Sequence, residues 1–176
     1  MAQQDRLSQV IDALLALSIA QVGYRSSSDT ASADNAVTVW DGPDILGSDD
    51  YQGSIGLLVV GYCGPDVDQL QPSGSVQLGT GPIASTAHPR DEITTVSMLG
   101  VSQNQDTAKA ARDACYAIVS MVAALCRADP SLGINSADTI GGVRTSAFVT
   151  SSEMYQYMDN GNVCERPFTV TYQARV

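Results

Sequence analysis

"SIGLLVVGYC", residues 54–63, decides the fold. Leu57, Leu58, Val59 and Val60 follow one another without the polar–apolar alternation of a strand that is wet on one side. A short apolar run rich in branched residues is the pattern of a strand covered on both faces, so it belongs in the middle of a sheet.

The sequence on either side supplies the rest of that sheet. Upstream, "AVTVW" alternates as a short strand over about 37–40, and "DGPD" then turns the chain, with Pro43 presetting φ and Asp41 and Asp44 able to bond nearby backbone. Downstream, residues 64–89 hold four Pro and four Gly in 26 positions, which predicts a long projecting loop, with "SVQL" (75–78) able to form a short strand inside it. "DEITTVSMLGV" (91–101) resumes as a strand. Three more strands are predicted at about 140–150, 153–158 and 163–176, with Asn160-Gly161 as a hairpin signal between the last two. In the final one, Phe168, Val170, Tyr172, Ala174 and Val176 alternate with Thr169, Thr171, Gln173 and Arg175.

Two helices complete the pattern. Over residues 4–22, Leu7, Val10, Ile11, Leu14, Ser18 and Val22 form one stripe at spacings of three and four. Over 105–128 the stripe is Ala108, Ala111, Cys115, Ile118, Val122 and Leu125, opened by Ser102 and Gln105 in capping-box spacing and stopped before "DPSLG". Small residues line its first half, so this helix can approach a sheet closely. From Gly23 to Ala36 the chain reads as loop. The expectation is one α+β domain over 1–176: a mixed or antiparallel sheet, two helices packed on one face, and long projecting loops. The other sheet face is then polar or needs a partner.

Composition narrows function by exclusion. The 176 residues carry a net charge of −10, and between Arg25 and Arg90 stand eight Asp (29, 34, 41, 44, 49, 50, 66, 68) and no base. Nucleic-acid binding needs clustered Lys or Arg, and there is no such cluster. The Asp spacing lacks the alternate ligands and terminal Glu of a calcium loop. His88 could pair with Cys63 or Cys164, yet no nucleophile signature surrounds either cysteine. No GxGxxG or GxxxxGK[ST] occurs. The four cysteines fit buried, reduced thiols of a cytosolic setting. Asp5 and Asp12 argue against reading "ALLALSIA" as a signal peptide, and no apolar run reaches the roughly 20 residues that span a bilayer. The expectations are a soluble chain, no cofactor, no metal and no catalysis. A small metal-binding or hydrolytic domain using Asp and His88 is the alternative from another class.

Taken together, the N-terminal helix, "VTVWDGPD" (37–44), "GLLVVGYCG" (56–64), "ALCRADPSLG" (124–133) and "FTVTYQARV" (168–176) resemble, in that order, the tail terminator proteins of long, flexible-tailed bacteriophages, particularly those of actinobacteria. The resemblance implies a virion protein made in the host cytoplasm. Six copies would form a ring on the head-proximal end of the tail tube, stop its polymerisation and meet the head–tail connector. A neck adaptor or stopper is the nearest alternative. A ring implies two different complementary surfaces, for which the uncovered sheet face, the long loops and the terminal strand, with Phe168, Val170, Tyr172 and Arg175, are candidates. DNA would cross the lumen without specific binding, and Asp41, Asp44, Asp49, Asp50, Asp66 and Asp68 are the candidates to line it and repel the duplex.

Overall fold

The computed structural model describes residues 6–27, 37–42, 55–61, 74–78, 91–134, 146–159 and 161–175. Among them are two helices, α1 (Arg6–Ile19) and α2 (Ala108–Ala128), and eight strands: β1 (Tyr24–Ser26), β2 (Val37–Asp41), β3 (Ile55–Val60), β4 (Gly74–Leu78), β5 (Asp91–Asn104), β6 (Ser146–Ser152), β7 (Tyr155–Met158) and β8 (Asn162–Arg175). The strands form one open mixed sheet in the order β1-β2-β3-β5-β8-β6, an α+β fold.

The sheet is built around two 14-residue strands, β5 and β8, paired antiparallel from Asp91↔Arg175 to Asn104↔Asn162. Each is flanked on its other edge by two shorter strands lying end to end. β3 covers Met98–Gln103 of β5 and β4 covers Glu92–Val96. β7 covers Asn162–Glu165 of β8 and β6 covers Phe168–Gln173, with a register shift between Val149 and Ser151. β1 and β2 then add in parallel beside β3.

The apolar run behaves as its composition demands. Leu58 and Val60 face the main core with Val39, Val96, Met98, Phe168, Val170 and Tyr172, under Val10 and Leu14 of α1 and Ile118, Val119, Val122 and Cys126 of α2. Leu57 and Val59 point the other way and form a second buried cluster with Leu99, Val101 and Val163, with Trp40 packed against it. Both helices therefore share one face. The opposite face is divided: this apolar cluster in one part, and in another a set of hydroxyls in which Thr150 Oγ1 bonds the Thr169 and Thr171 hydroxyls at 3.0 and 2.8 Å.

Close approach of α2 is achieved through Gly100. A Cβ there would stand 3.4 Å from Ile118 Cγ2 and 3.6 Å from Val119 Cγ2, and the Cys115 thiol donates to the Gly100 carbonyl at 3.4 Å. The "DPSLG" landmark ends the helix. Asp129 is the C-cap, its N–H donating to the Leu125 carbonyl, and its carboxylate accepts from Ser131 N–H (2.9 Å) and the Ser131 hydroxyl, which hold it below the usual carboxylate range. Leu132 takes a left-handed φ of 53° that a branched residue rarely adopts; its burial in the main core holds it there.

Several expectations are corrected. β5 runs on to Asn104, so Ser102 is a buried strand residue and not a cap; the N-cap is Thr107, whose hydroxyl accepts from Ala110 N–H at 3.1 Å. Ala108 is accordingly exposed, and Val119 and Cys126 take buried places on α2. α1 ends at Ile19, leaving Val22 fully exposed. The segment from Gly23, expected as loop, begins with β1, because Tyr24–Ser26 find a parallel partner in Val37–Val39. The strand expected over 140–150 is described from Ser146.

Candidate functional site

Of the acidic candidates, Asp41 is described: it is the last residue of β2 and exposed. Asp44, Asp49, Asp50, Asp66 and Asp68 lie outside the described residues, as do His88 and Cys63. The strand arrangement nevertheless fixes where their segments start. β2 and β3 are parallel with Asp41 beside Val60, so both strands end on the same side of the sheet. Gly42, at φ 83°, donates to the Val60 carbonyl at 2.8 Å, and Gly61 donates to the Ser97 carbonyl at 2.9 Å. The connection carrying Asp44, Asp49 and Asp50 and the one carrying Asp66 and Asp68 thus leave from adjacent strand ends.

Three of the four residues expected to form a subunit surface on the terminal strand are core residues. Phe168, Val170 and Tyr172 are buried between the sheet and the helices, and β8 is paired on both edges along most of its length. Those three side chains fill the core and are not available to another subunit. Arg175 closes β8 opposite Asp91.

At one end of the strand order, β6 and β7 lie beside β8. Every residue of β7 is exposed, and it and its neighbour present Met154 (40%), Tyr155 (51%), Tyr157 (45%) and Met158 (82%). The two Tyr rings are anchored: Tyr155 donates its hydroxyl to Glu153 and Tyr157 donates to Glu165. The Glu153 bond also raises the Tyr155 phenol above its ordinary value. Beside them, Arg166 of β8 stacks over the Tyr116 ring of α2, 4.0 Å from the centroid, and donates to the Ser152 hydroxyl. Gln156 donates to the Ala108 carbonyl at 3.2 Å and Gln103 to the Asp159 carbonyl at 3.0 Å, which ties the β7–β8 hairpin to the start of α2 and to the end of β5. Sequence reading missed this surface, although "EMYQYM" carries large apolar side chains at both alternating phases, a sign of a strand exposed on both faces.

The thiols offer little chemistry. Cys115 and Cys164 form a buried cluster with Ala111, and burial pushes both thiols up, as it does Cys126. All three are free. A thiol kept protonated in an apolar setting is a poor nucleophile. Among the described residues no three His, Cys, Asp or Glu side chains gather as metal ligands, and no helix is long and apolar enough to cross a membrane.

No protein-family model and no curated protein matches the chain.

Proposed function

We propose that this chain is a non-enzymatic ring subunit of a phage tail, the terminator that caps the head-proximal end of the tube. The reading rests on the ordered resemblance; of its landmarks, Val37–Asp41 form β2, Gly56–Val60 belong to β3, "ALCRADPSLG" spans the end of α2, and Phe168–Arg175 belong to β8.

The observation that carries it is the parallel β2–β3 pair, which launches two acidic connections from one end of a sheet with open edges. Six such ends around a channel would set rings of negative charge near a passing duplex, which carries one phosphate charge per roughly 1.7 Å of axis. Repulsion of that kind lets DNA pass without being held.

The test is tube growth. Purified chain added to polymerising tail tube subunits of the same virus is expected to halt elongation at the tip. Unchanged elongation together with binding to portal rings would identify a neck adaptor instead.

A further inference from the structure

We infer that Cys115 and Cys164 are a dithiol that a peroxide oxidises to a disulfide within the chain, fastening α2 to β8. The pair stands whether or not the chain caps a tail tube.

The two cysteines are distant in sequence, with the rest of α2, β6 and β7 between them, and the fold brings them together. Cys164 stands opposite Ser102 of β5 and opposite Gln156 of β7, and Gly100, two residues from Ser102, shares its face of the sheet. α2 settles closely over that face because Gly100 has no side chain, and the Cys115 thiol donates to the Gly100 carbonyl at 3.4 Å. The helix is also tied down on either side of the contact. Gln156 donates to the Ala108 carbonyl, and Arg166, two residues after Cys164, stacks on Tyr116, the residue after Cys115. Cys115 and Cys164 are both fully buried beside Ala111, and their thiols lie within hydrogen-bond reach of each other.

With hydrogen peroxide as the oxidant the step balances. Cys164 reacts first: burial raises both thiols, but at Cys164 the Cys115 thiol and the Arg166 and Arg112 guanidiniums oppose the rise, whereas at Cys115 the neighbouring Cys164 adds to it. The Cys164 thiolate takes one peroxide oxygen as the O–O bond breaks, giving a sulfenic acid and hydroxide. The Cys115 sulfur then attacks the Cys164 sulfur, so that the S–S bond forms, the S–O bond breaks and the second oxygen departs as hydroxide. Both hydroxides take up the two thiol protons, and the sum is two thiols and one peroxide giving a disulfide and two waters. Burial sets the pace of this chemistry, because thiols kept protonated react slowly. The pair therefore stays reduced in a reducing setting and is converted in an oxidising one. A link between residues so far apart in the chain restricts the unfolded ensemble, which makes the oxidised form the more stable.

The full chain is treated with hydrogen peroxide at mildly alkaline pH, denatured, alkylated and read by peptide mass. Cys115 and Cys164 are expected to become unreactive together, in a joined peptide pair two hydrogens lighter than the free peptides, and dithiothreitol should restore both. The oxidised chain should unfold at a higher urea concentration than the reduced one. Cys126, about 16 Å from Cys115 along α2 by helical rise, is the buried comparison and should remain alkylatable. Cys164→Ser should leave Cys115 alkylatable at the same peroxide dose. The double variant Cys63→Ala with Cys126→Ala keeps only the pair and should still form the link within a single chain. Free Cys115 and Cys164 after prolonged treatment, their conversion to sulfinic acids without a link, a bridge from either to Cys63, to Cys126 or to a second chain, or a lower urea midpoint after oxidation would each overturn the pairing.

Discussion

Gly100 gives the sharpest test of how α2 is seated. Its hypothetical Cβ meets Ile118 Cγ2 at 3.4 Å and Val119 Cγ2 at 3.6 Å, just at the optimum for carbon–carbon contact. Gly100→Ala therefore fits without moving the helix. It also removes a glycine from a strand interior, which is worth roughly 0.5–1 kcal/mol in favour of alanine, so the net change should be near zero or slightly stabilising. Gly100→Val and Gly100→Leu add carbons about 1.5 Å further out, into space already held by Ile118 and Val119. Overpacking of this kind costs about 1–3 kcal/mol, and the longer side chain should lie at the upper end. Urea unfolding followed by far-ultraviolet circular dichroism reads the series, with the slope m checked for constancy. An Ala variant losing more than about 2 kcal/mol, or a Leu variant losing nothing, would refute the close contact of α2 with β5.

Three further outcomes are expected. Thr107→Ala should cost about 1 kcal/mol by leaving the Ala110 N–H without its acceptor, measured by the same unfolding; no loss would mean that the cap lies elsewhere. Cys115, Cys126 and Cys164 have thiols raised by burial. Their stabilisation is complete below the unfolded thiol value of about 8.5 and is lost as pH climbs toward the folded values, by up to about 1.4 kcal/mol per pH unit for each; a Cys115→Ala variant should show a shallower alkaline decline, and an unchanged slope would count against this. Truncation before Phe168 removes Phe168, Val170 and Tyr172 from the core and unpairs β6 and half of β5, so the remaining chain should show no cooperative unfolding transition in calorimetry.

Much of this fold could be read from the residues because local pattern and tertiary environment agree. Leu57–Val60 is buried on both faces, and a doubly covered strand leaves a continuous apolar run. The β7–β8 pairing is local, Met158 opposite Asn162, so the sequence signal for it lies within a few residues. β1 was illegible because Tyr-Arg-Ser has no periodicity of its own; its state depends on a parallel neighbour eleven or more residues away. Ser102 misled for a related reason: capping chemistry and a buried strand end look alike until the sheet is assembled. For the interaction surface, alternation in "FTVTYQARV" was visible, but alternation marks one buried face and cannot say whether core or partner buries it. The β7 surface escaped because lying at one end of the sheet is a property of strand order, which no local sequence encodes.

The long β5–β8 pairing also shapes how the molecule comes to be folded. Asn104 and Asn162 are neighbours across the ladder, joined by an Asn162 Nδ2 bond to the Asn104 carbonyl, yet 58 residues separate them in the chain. Contacts of such separation form late, since their loop-closure entropy is met before the packing that rewards it. The β6–β7–β8 hairpin, closed locally, can form early; β5 must then find it. Until that happens β5 offers a 14-residue unpaired flank with Val96, Leu99 and Val101 along it, the kind of transient strand edge that recruits other chains. Refolding from urea is therefore expected to be slow, and its yield to fall as protein concentration rises: in this architecture the strand pair that gives the native sheet its span is also the pair most exposed to competition while the chain is still incomplete in structure.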